Sequence, residues 1–270
     1  MATQFIDRMA VEVDGEGDAV LMLHGLGGTS NVWAPLMPAV SRYRRIRPDL
    51  PGSGRSDRVE GELSLDRFVK AALRILEGMG VGKAHVVAHS MGTIVAQHLA
   101  ALHPSRVTSL ALFGPLFAPP DPARASIRAR GQKARSEGVP GMQEIADVLV
   151  QASTSTSTRS QRPAASAYVR ESLMRQNPEG YARNCDALAA MEAVEASRIT
   201  CPTLLVTGDE DGVAPPQAVR MMRDRIGETN ARVHCEVLRG CGHWTPVERP
   251  EECNDLLRRF LAQRQDGSAR

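Results

Sequence analysis

The chain has 270 residues, 42% of them hydrophobic and 24% charged, the balance of an ordinary folded globular protein and not of a disordered or fibrous one. Its 33 Lys and Arg against 31 acids leave a formal net charge of +2, and the lack of a basic run that could neutralise a row of phosphates argues against nucleic-acid binding. No apolar run is long enough to span a bilayer, and charges interrupt the segment MATQFIDRMAVEVDGEGD too often for a signal peptide, so a cytoplasmic location with no membrane partner is expected.

In chain order, Ala19 to Leu23 (AVLML) is a short apolar run ending at His24-Gly25, predicted to be a buried strand. Arg44 to Pro48 is a weaker strand candidate. Leu65, Phe68, Val69, Ala72, Leu73 and Leu76 then recur at helical spacing, with Ser64 placed to cap the start and Gly78 and Gly80 to end it. Ala84 to Ala88 (AHVVA) is a second buried strand and completes a β-α-β unit. A helix from Met91 to Leu102 and a strand from Val107 to Phe113 continue the alternation. It stops at Pro115, then resumes with a strand from Thr203 to Thr207, a helix from Pro216 to Ile226, a strand from Val233 to Leu238 and a last helix after Pro250.

This alternation predicts an α/β fold whose mostly parallel, doubly wound sheet is covered on both faces. Ligands should then bind beyond the carboxyl ends of the strands. Residues 115–196 break the pattern with helical stretches, several prolines and the biased run Ala152-STSTSTRSQRP. They are predicted to form a helical cap inserted between two parts of the core, 1–114 and 197–270. The Ser/Thr run is expected to be a polar loop or the hinge of a mobile lid.

The five cysteines, Cys185, Cys201, Cys235, Cys241 and Cys253, are odd in number and lack C-x-x-C spacing. They are expected to be free thiols of a reducing compartment, not zinc ligands or a disulfide framework. Cys241, two residues before His243, is either a packing residue or an oxidant sensor.

A nucleophile elbow needs small residues two positions before and after its serine, because the strand-to-helix turn is sharp. Ala88-His89-Ser90-Met91-Gly92 and Ala134-Arg135-Ser136-Glu137-Gly138 both fit. Only Ser90 follows a buried strand and opens a helix with apolar Met91, Ile94, Val95 and Leu99; Ser136 sits in a polar stretch. An acid and a histidine should follow in that order. The strand TLLVT runs into Gly208-Asp209-Glu210-Asp211, which presents a carboxylate at the strand's end, and Leu238 leads to His243. His85, His98, His103 and His234 belong to no motif.

With these residues the chain resembles the α/β-hydrolase fold serine hydrolases, whose acid loop often reads Gly-x-x-Asp-x-x-x-Pro. Asp211 fits that spacing between Gly208 and Pro215, whereas Asp209 does not. The resemblance extends to Gly242-His243-Trp244-Thr245-Pro246-Val247-Glu248-Arg249-Pro250 and to Asp49-Leu50-Pro51-Gly52-Ser53-Gly54-Arg55-Ser56-Asp57, the latter expected to be structural. It implies Ser90 as nucleophile, His243 as base and Asp211 as the acid that orients it. His24-Gly25-Leu26-Gly27-Gly28 is similar to the family's oxyanion loop, so Leu26 and Met91 are the implied backbone donors. No lysine follows this loop, which excludes a P-loop. Neither cofactor nor metal is needed for this chemistry.

Within the family, the cap is most similar to the 3-oxoadipate enol-lactonases through Ala134 to Val139, Met142, Ile145 to Asp147 and Asn177 to Tyr181. It departs from them in lacking a tryptophan. Ala88 stands in place of the elbow's usual first glycine, and Thr93 where many members have another. The resemblance implies a carboxylic-ester or lactone hydrolase acting on a small molecule. The alternatives are a carbon-carbon bond hydrolase of diketone-like ring-cleavage products, or a ligand receptor that retains the pocket. Trp33, His89 and Trp244 are expected to line that pocket. From Asp121 to Arg183 ten bases face six acids, which favours an anionic substrate, with Arg130 and Arg135 the candidates to hold it.

Overall fold

The apolar runs form the middle of one eight-stranded sheet. In chain order the strands are β1 (Ala2–Ile6), β2 (Met9–Asp14), β3 (Ala19–Leu23), β4 (Arg44–Pro48), β5 (Ala84–His89), β6 (Val107–Phe113), β7 (Thr203–Gly208) and β8 (Val233–Leu238). Across the sheet they run β1-β2-β4-β3-β5-β6-β7-β8. All neighbours from β4 to β8 are parallel, and β1 and β2 add an antiparallel edge. Every residue of β3, β5 and β7 is buried. Because successive side chains point to opposite faces, that burial requires both faces to be covered. The computed structural model describes residues 2–56 and 61–262; Asp57 lies outside them.

Helix α1 (Leu65–Gly78) begins at Ser64, whose hydroxyl accepts the Arg67 N–H at 3.3 Å. It packs on α2 (Met91–Leu102). A 3-10 segment over Ser30–Val40 packs instead on α9 (Pro250–Ala262). Four helices stand between β6 and β7: α3 (Asp121–Ser153), α4 (Thr156–Gln161), α5 (Pro163–Met174) and α6 (Pro178–Ala190). Backbone at Gly138 (φ 62°, ψ −133°) breaks α3 just before Pro140, as expected where a residue lacks a backbone N–H. Helices α7 (Pro216–Gly227) and α8 (Thr245–Glu248) complete the chain. Among the described residues no helix is long and apolar enough to cross a membrane.

Two parts of the fold depart from the sequence reading. The β1–β2 hairpin was not anticipated because its turn, Asp7-Arg8, adopts positive φ (46° and 66°) without the Gly or Asn that usually marks such turns. Its one buried charge, Glu12, is neutralised by Arg55 at 2.5 Å. The Ser/Thr run is also not a plain polar loop, since α4 lies within it. Ser153, Thr154, Ser155 and Thr158 are buried, and the Ser155 hydroxyl accepts the Thr158 N–H at 3.1 Å to cap α4. Hydroxyl side chains that satisfy main-chain groups locally make such a run self-sufficient inside a protein.

Candidate active site

Ser90 sits between β5 and α2 with φ 52° and ψ −124°, a left-handed conformation rare for a residue with a side chain. The turn is held on both sides. The Ser90 N–H donates to Phe113 O at 3.0 Å, and Ser90 O accepts from the Thr93 N–H at 2.8 Å and the Thr93 hydroxyl at 2.6 Å. Thr93, where glycine is common, thus secures the elbow; its Oγ1 also accepts the Leu116 N–H at 3.2 Å. Two glycines let the chain approach so closely. A Cβ on Gly92 would lie 2.4 Å from Leu23 O, and one on Gly25 would lie 2.7 Å from the Ser90 Cβ.

Across the strand ends, the Ser90 hydroxyl donates to His243 Nε2 at 2.8 Å, and His243 Nδ1–H donates to Asp211 Oδ2 at 2.9 Å. Asp211 is buried and also accepts the Val213 and Ala214 N–H groups, each at 2.8 Å, and the Thr207 hydroxyl at 3.2 Å. Burial opposes its ionisation, but the adjacent His243 ring and these donors outweigh burial and hold Asp211 below the usual carboxylate range. Asp209 takes no part in this relay: its carboxylate accepts the Cys241 N–H at 3.2 Å. Ser136 lies in α3, bonded within its own helix to Lys133 O.

The loop preceding His243 is fastened from three directions. Glu248, fully buried, accepts the N–H groups of Gly242 (3.0 Å), Trp244 (3.0 Å) and Ser155 (2.8 Å). Ser153 O accepts the His243 N–H at 2.8 Å, and the Ser153 hydroxyl accepts Trp244 Nε1–H at 3.1 Å. Glu210 accepts the Thr156 N–H at 2.9 Å. The polar run after α3 therefore bolts the inserted helices to both the acid loop and the histidine loop. Sequence reasoning gave Glu248 no role, and its place in the Gly242–Pro250 run was the available signal.

Leu26 lies in a turn closed by the Gly28 N–H on Gly25 O at 3.0 Å. This turn is supported from behind by His24, whose Nδ1–H donates to Gly25 O at 2.8 Å while its Nε2 accepts the Leu50 N–H at 2.8 Å. The Asp49 loop adds to that support, with Asp49 accepting the Ser30 N–H at 2.7 Å. Met91 is the first residue of α2, where a helix leaves its N–H groups without intrahelical partners.

Above Ser90 and His243 lies a cavity of about 240 Å³, lined also by Leu26, Leu116, Ile127, Arg130, Tyr181 and Trp244. Three residues expected to face substrate do not line it. Trp33 is wholly buried in the core, edge-on to Phe113. His89 lies behind the relay, its Nε2–H donating to His243 O at 2.9 Å and its ring packed against His243 and Trp244. Burial, reinforced by the His243 ring, pushes His89 down to about 3, so it is neutral. Arg135 turns away to ion pairs with Glu179 and Asp186 at 3.0 and 2.9 Å. Four more cap bases, Arg124, Lys133, Arg170 and Arg183, are paired with acids in the same way. Cys241 is buried, and burial pushes its thiol up, which identifies it as a packing residue.

A family profile described as alpha/beta hydrolase fold matches residues 18–250. The chain belongs to the α/β-hydrolase fold family. Among its relatives, the 2-hydroxymuconate semialdehyde hydrolase of Pseudomonas putida is 30% identical over 95% of this chain and 91% of that protein. An esterase from Thermogutta terrifontis, solved with malate bound, is 25% identical with a TM-score of 0.89 over 97% of this chain and 99% of that one. The enol-lactonase of Burkholderia xenovorans LB400 has a TM-score of 0.87 at 24% identity, over 97% of this chain and 100% of that one; at that identity the likeness speaks for the fold alone.

Proposed function

We propose that this α/β hydrolase cleaves a carboxylic ester or lactone through an acyl-enzyme. Ser90 is the nucleophile, His243 the general base, Asp211 its orienting acid, and the N–H groups of Leu26 and Met91 form the oxyanion hole. The observation that carries this reading is the unbroken relay from Ser90 to His243 to Asp211 beneath a cavity. In it, residues 115–196 serve as a cap over the core formed by 1–114 and 197–270. Five free thiols support a reducing, cytoplasmic setting.

In the first half-reaction the Ser90 proton passes to His243 Nε2 as Oγ bonds to the substrate carbonyl carbon. The two N–H groups receive the charge that develops on the carbonyl oxygen. Collapse breaks the bond to the leaving oxygen, which takes the proton from Nε2. Water then gives a proton to Nε2 as its oxygen attacks the acyl carbon. Ser90 regains that proton when the free acid leaves. Asp211 keeps the ring in the Nδ1–H tautomer and stabilises its charged form throughout.

A second reading, carbon-carbon bond hydrolysis of a diketone-like compound, is favoured by the identity to the 2-hydroxymuconate semialdehyde hydrolase. A panel of aryl esters, lactones and vinylogous diketones separates the two by which class turns over, with mass spectrometry of the quenched enzyme to find an acyl group on Ser90. Tight binding without turnover of any class would overturn both and leave the receptor alternative.

A further inference from the structure

The two N–H groups of the oxyanion hole, those of Leu26 and Met91, each belong to a peptide unit whose carbonyl accepts hydrogen bonds. In a trans peptide the C=O and the following N–H lie in one plane and point in opposite directions. Whatever holds the carbonyl therefore aims the N–H. A carbonyl that accepts a hydrogen bond also polarises its own peptide, which makes the N–H a stronger donor.

Met91 N–H shares its peptide with Ser90 O, which accepts the Thr93 N–H at 2.8 Å and the Thr93 hydroxyl at 2.6 Å. The hydroxyl is fixed in turn, because its oxygen accepts the Leu116 N–H at 3.2 Å. Its single proton is left for Ser90 O. This side-chain support exists only because position 93 is not the glycine that many α/β hydrolases carry.

The second donor is reached by a longer path from the inserted helices. Leu26 N–H shares its peptide with Gly25 O, which accepts the Gly28 N–H at 3.0 Å besides the His24 ring. Gly28 N–H in turn shares its peptide with Gly27 O. That oxygen accepts the Ser172 hydroxyl of α5 at 2.8 Å and the Gln176 Nε2–H at 3.1 Å. Ser172 and Gln176 are both buried, and Gln176 Oε1 accepts the Gly54 N–H at 3.2 Å. The Tyr168 hydroxyl beside Ser172 is raised by burial and stays neutral, so no charge competes for the Ser172 proton.

We infer that Thr93 and Ser172 are positioning residues of the oxyanion hole. Through one peptide unit and through two, respectively, their hydroxyls aim and polarise the N–H groups of Met91 and Leu26. Helix α5 then completes the hole as well as covering the site. This rests on the acyl-hydrolase reading for what the hole does, and on the hydrogen bonds alone for how its donors are held.

Thr93→Val keeps the shape and deletes the hydroxyl, and Ser172→Ala deletes the hydroxyl on α5. The probe is trifluoromethyl ethyl ketone: Ser90 Oγ adds to its carbonyl carbon, the Ser90 proton passes to His243 Nε2, and the ketone oxygen becomes an oxyanion in the hole. Fluorine NMR gives the pH at which that oxygen takes up a proton. Thr93→Val should raise this pH by about one unit and lower kcat for para-nitrophenyl acetate by about tenfold, with KM nearly unaltered. That is well short of the ~10²–10³-fold loss when a donor is removed outright. Ser172→Ala should move both in the same direction but less, since Gln176 stays on Gly27 O. Thr93→Ser, which keeps the hydroxyl, should match the wild type. An unmoved oxyanion in both deletion variants overturns the inference whatever happens to kcat, because a merely structural loss does not change that oxygen's affinity for a proton.

If the wild type neither adds the ketone nor hydrolyses any ester, the acyl-transfer reading fails, and amide proton shifts still decide how the donors are held. Thr93→Val should move Met91 N–H upfield and leave Leu26 in place, and Ser172→Ala should do the reverse; any other pattern overturns the inference. Each variant reports on its own donor, so one that misfolds leaves the other decisive.

Discussion

The strand-end shelf and the helices above it face the same cavity but are held in different ways. On the shelf, Ser90, Asp211 and His243 are each fixed through main-chain hydrogen bonds: Ser90 to Phe113 and Thr93, Asp211 from Val213 and Ala214, His243 to Ser153. On the helices, Ile127, Arg130 and Tyr181 reach the cavity as side chains whose direction follows from how α3 and α6 pack. A site fixed by backbone tolerates little change in sequence. One fixed by side chains on helices can change ligand without changing fold. The shelf should therefore govern the chemical step and α3 and α6 the choice of substrate.

The largest expected effect separates them most sharply. Ser90→Ala removes the nucleophile and leaves the cavity intact, so kcat should fall on the order of 10⁴-fold or more with little change in Tm. Ser136→Ala, on the cap's surface, should leave kcat unaltered. Steady-state kinetics with any hydrolysed ester checks both, and inactivation by Ser136→Ala alone would put the nucleophile in the wrong place.

Next in size is Asp211→Asn, expected to lower kcat by about 10³–10⁴-fold because an amide cannot stabilise the imidazolium that forms in the transition state. Asp209→Asn keeps an acceptor for the Cys241 N–H and should cost less than tenfold. Equal losses in the two variants would trace the effect to the shape of the loop and not to the carboxylate.

What the sequence made legible follows the same division. Ser90, Asp211 and His243 stand at fixed offsets from buried strands and small residues, because a sharp turn and a close backbone approach restrict what each neighbouring position can be. Residues in α3–α6 obey only helical packing, which leaves direction open. Arg130 and Arg135 are five apart, yet one enters the cavity and the other pairs with Glu179 and Asp186. Trp33 and His89 were expected at the pocket, His89 because it adjoins Ser90 in the chain. Their rings point the other way, into the core and behind His243. The Ser/Thr run carries no hydrophobic signal, since its burial depends on partners such as Glu248 that lie 93 residues away in the chain.

That run is where shelf and helices meet, and Glu248→Gln tests the joint. The carboxylate accepts three N–H groups, and an amide turns one oxygen into a donor facing a donor. Stability should fall by about 2–3 kcal/mol, the cost of a buried donor left unpaired together with a lost charge-assisted bond. Loosening the His243 loop should lower kcat more than it raises KM. Denaturant unfolding and steady-state kinetics measure the two effects, and a stability loss with kcat unaltered would confine Glu248 to holding the helices on.

The smallest effect concerns the underside of the shelf, where His89 is kept neutral against His243, Asp211 and His24. In the unfolded chain a histidine takes up a proton near pH 6.5, whereas folded His89 does so only at about 3. The unfolded state thus binds more protons over that interval, and stability must decline as pH falls below 6.5. Between pH 6.5 and 5 carboxylates are largely ionised in both states, so histidines set the slope. His24 is also lowered by burial, and His98 likewise, so each adds to the slope in the same direction. Full exclusion of one proton contributes about 1.5 kcal/mol over this window. His89→Asn does not titrate and keeps an amide donor for His243 O. Its unfolding free energy should therefore drop less than that of the wild type from pH 6.5 to 5, by about that amount. Parallel stability curves for the two proteins, from urea unfolding at each pH, would mean that His89 gains access to a proton without unfolding, and that the floor beneath the catalytic histidine opens far more readily than the main-chain bonds of the shelf imply.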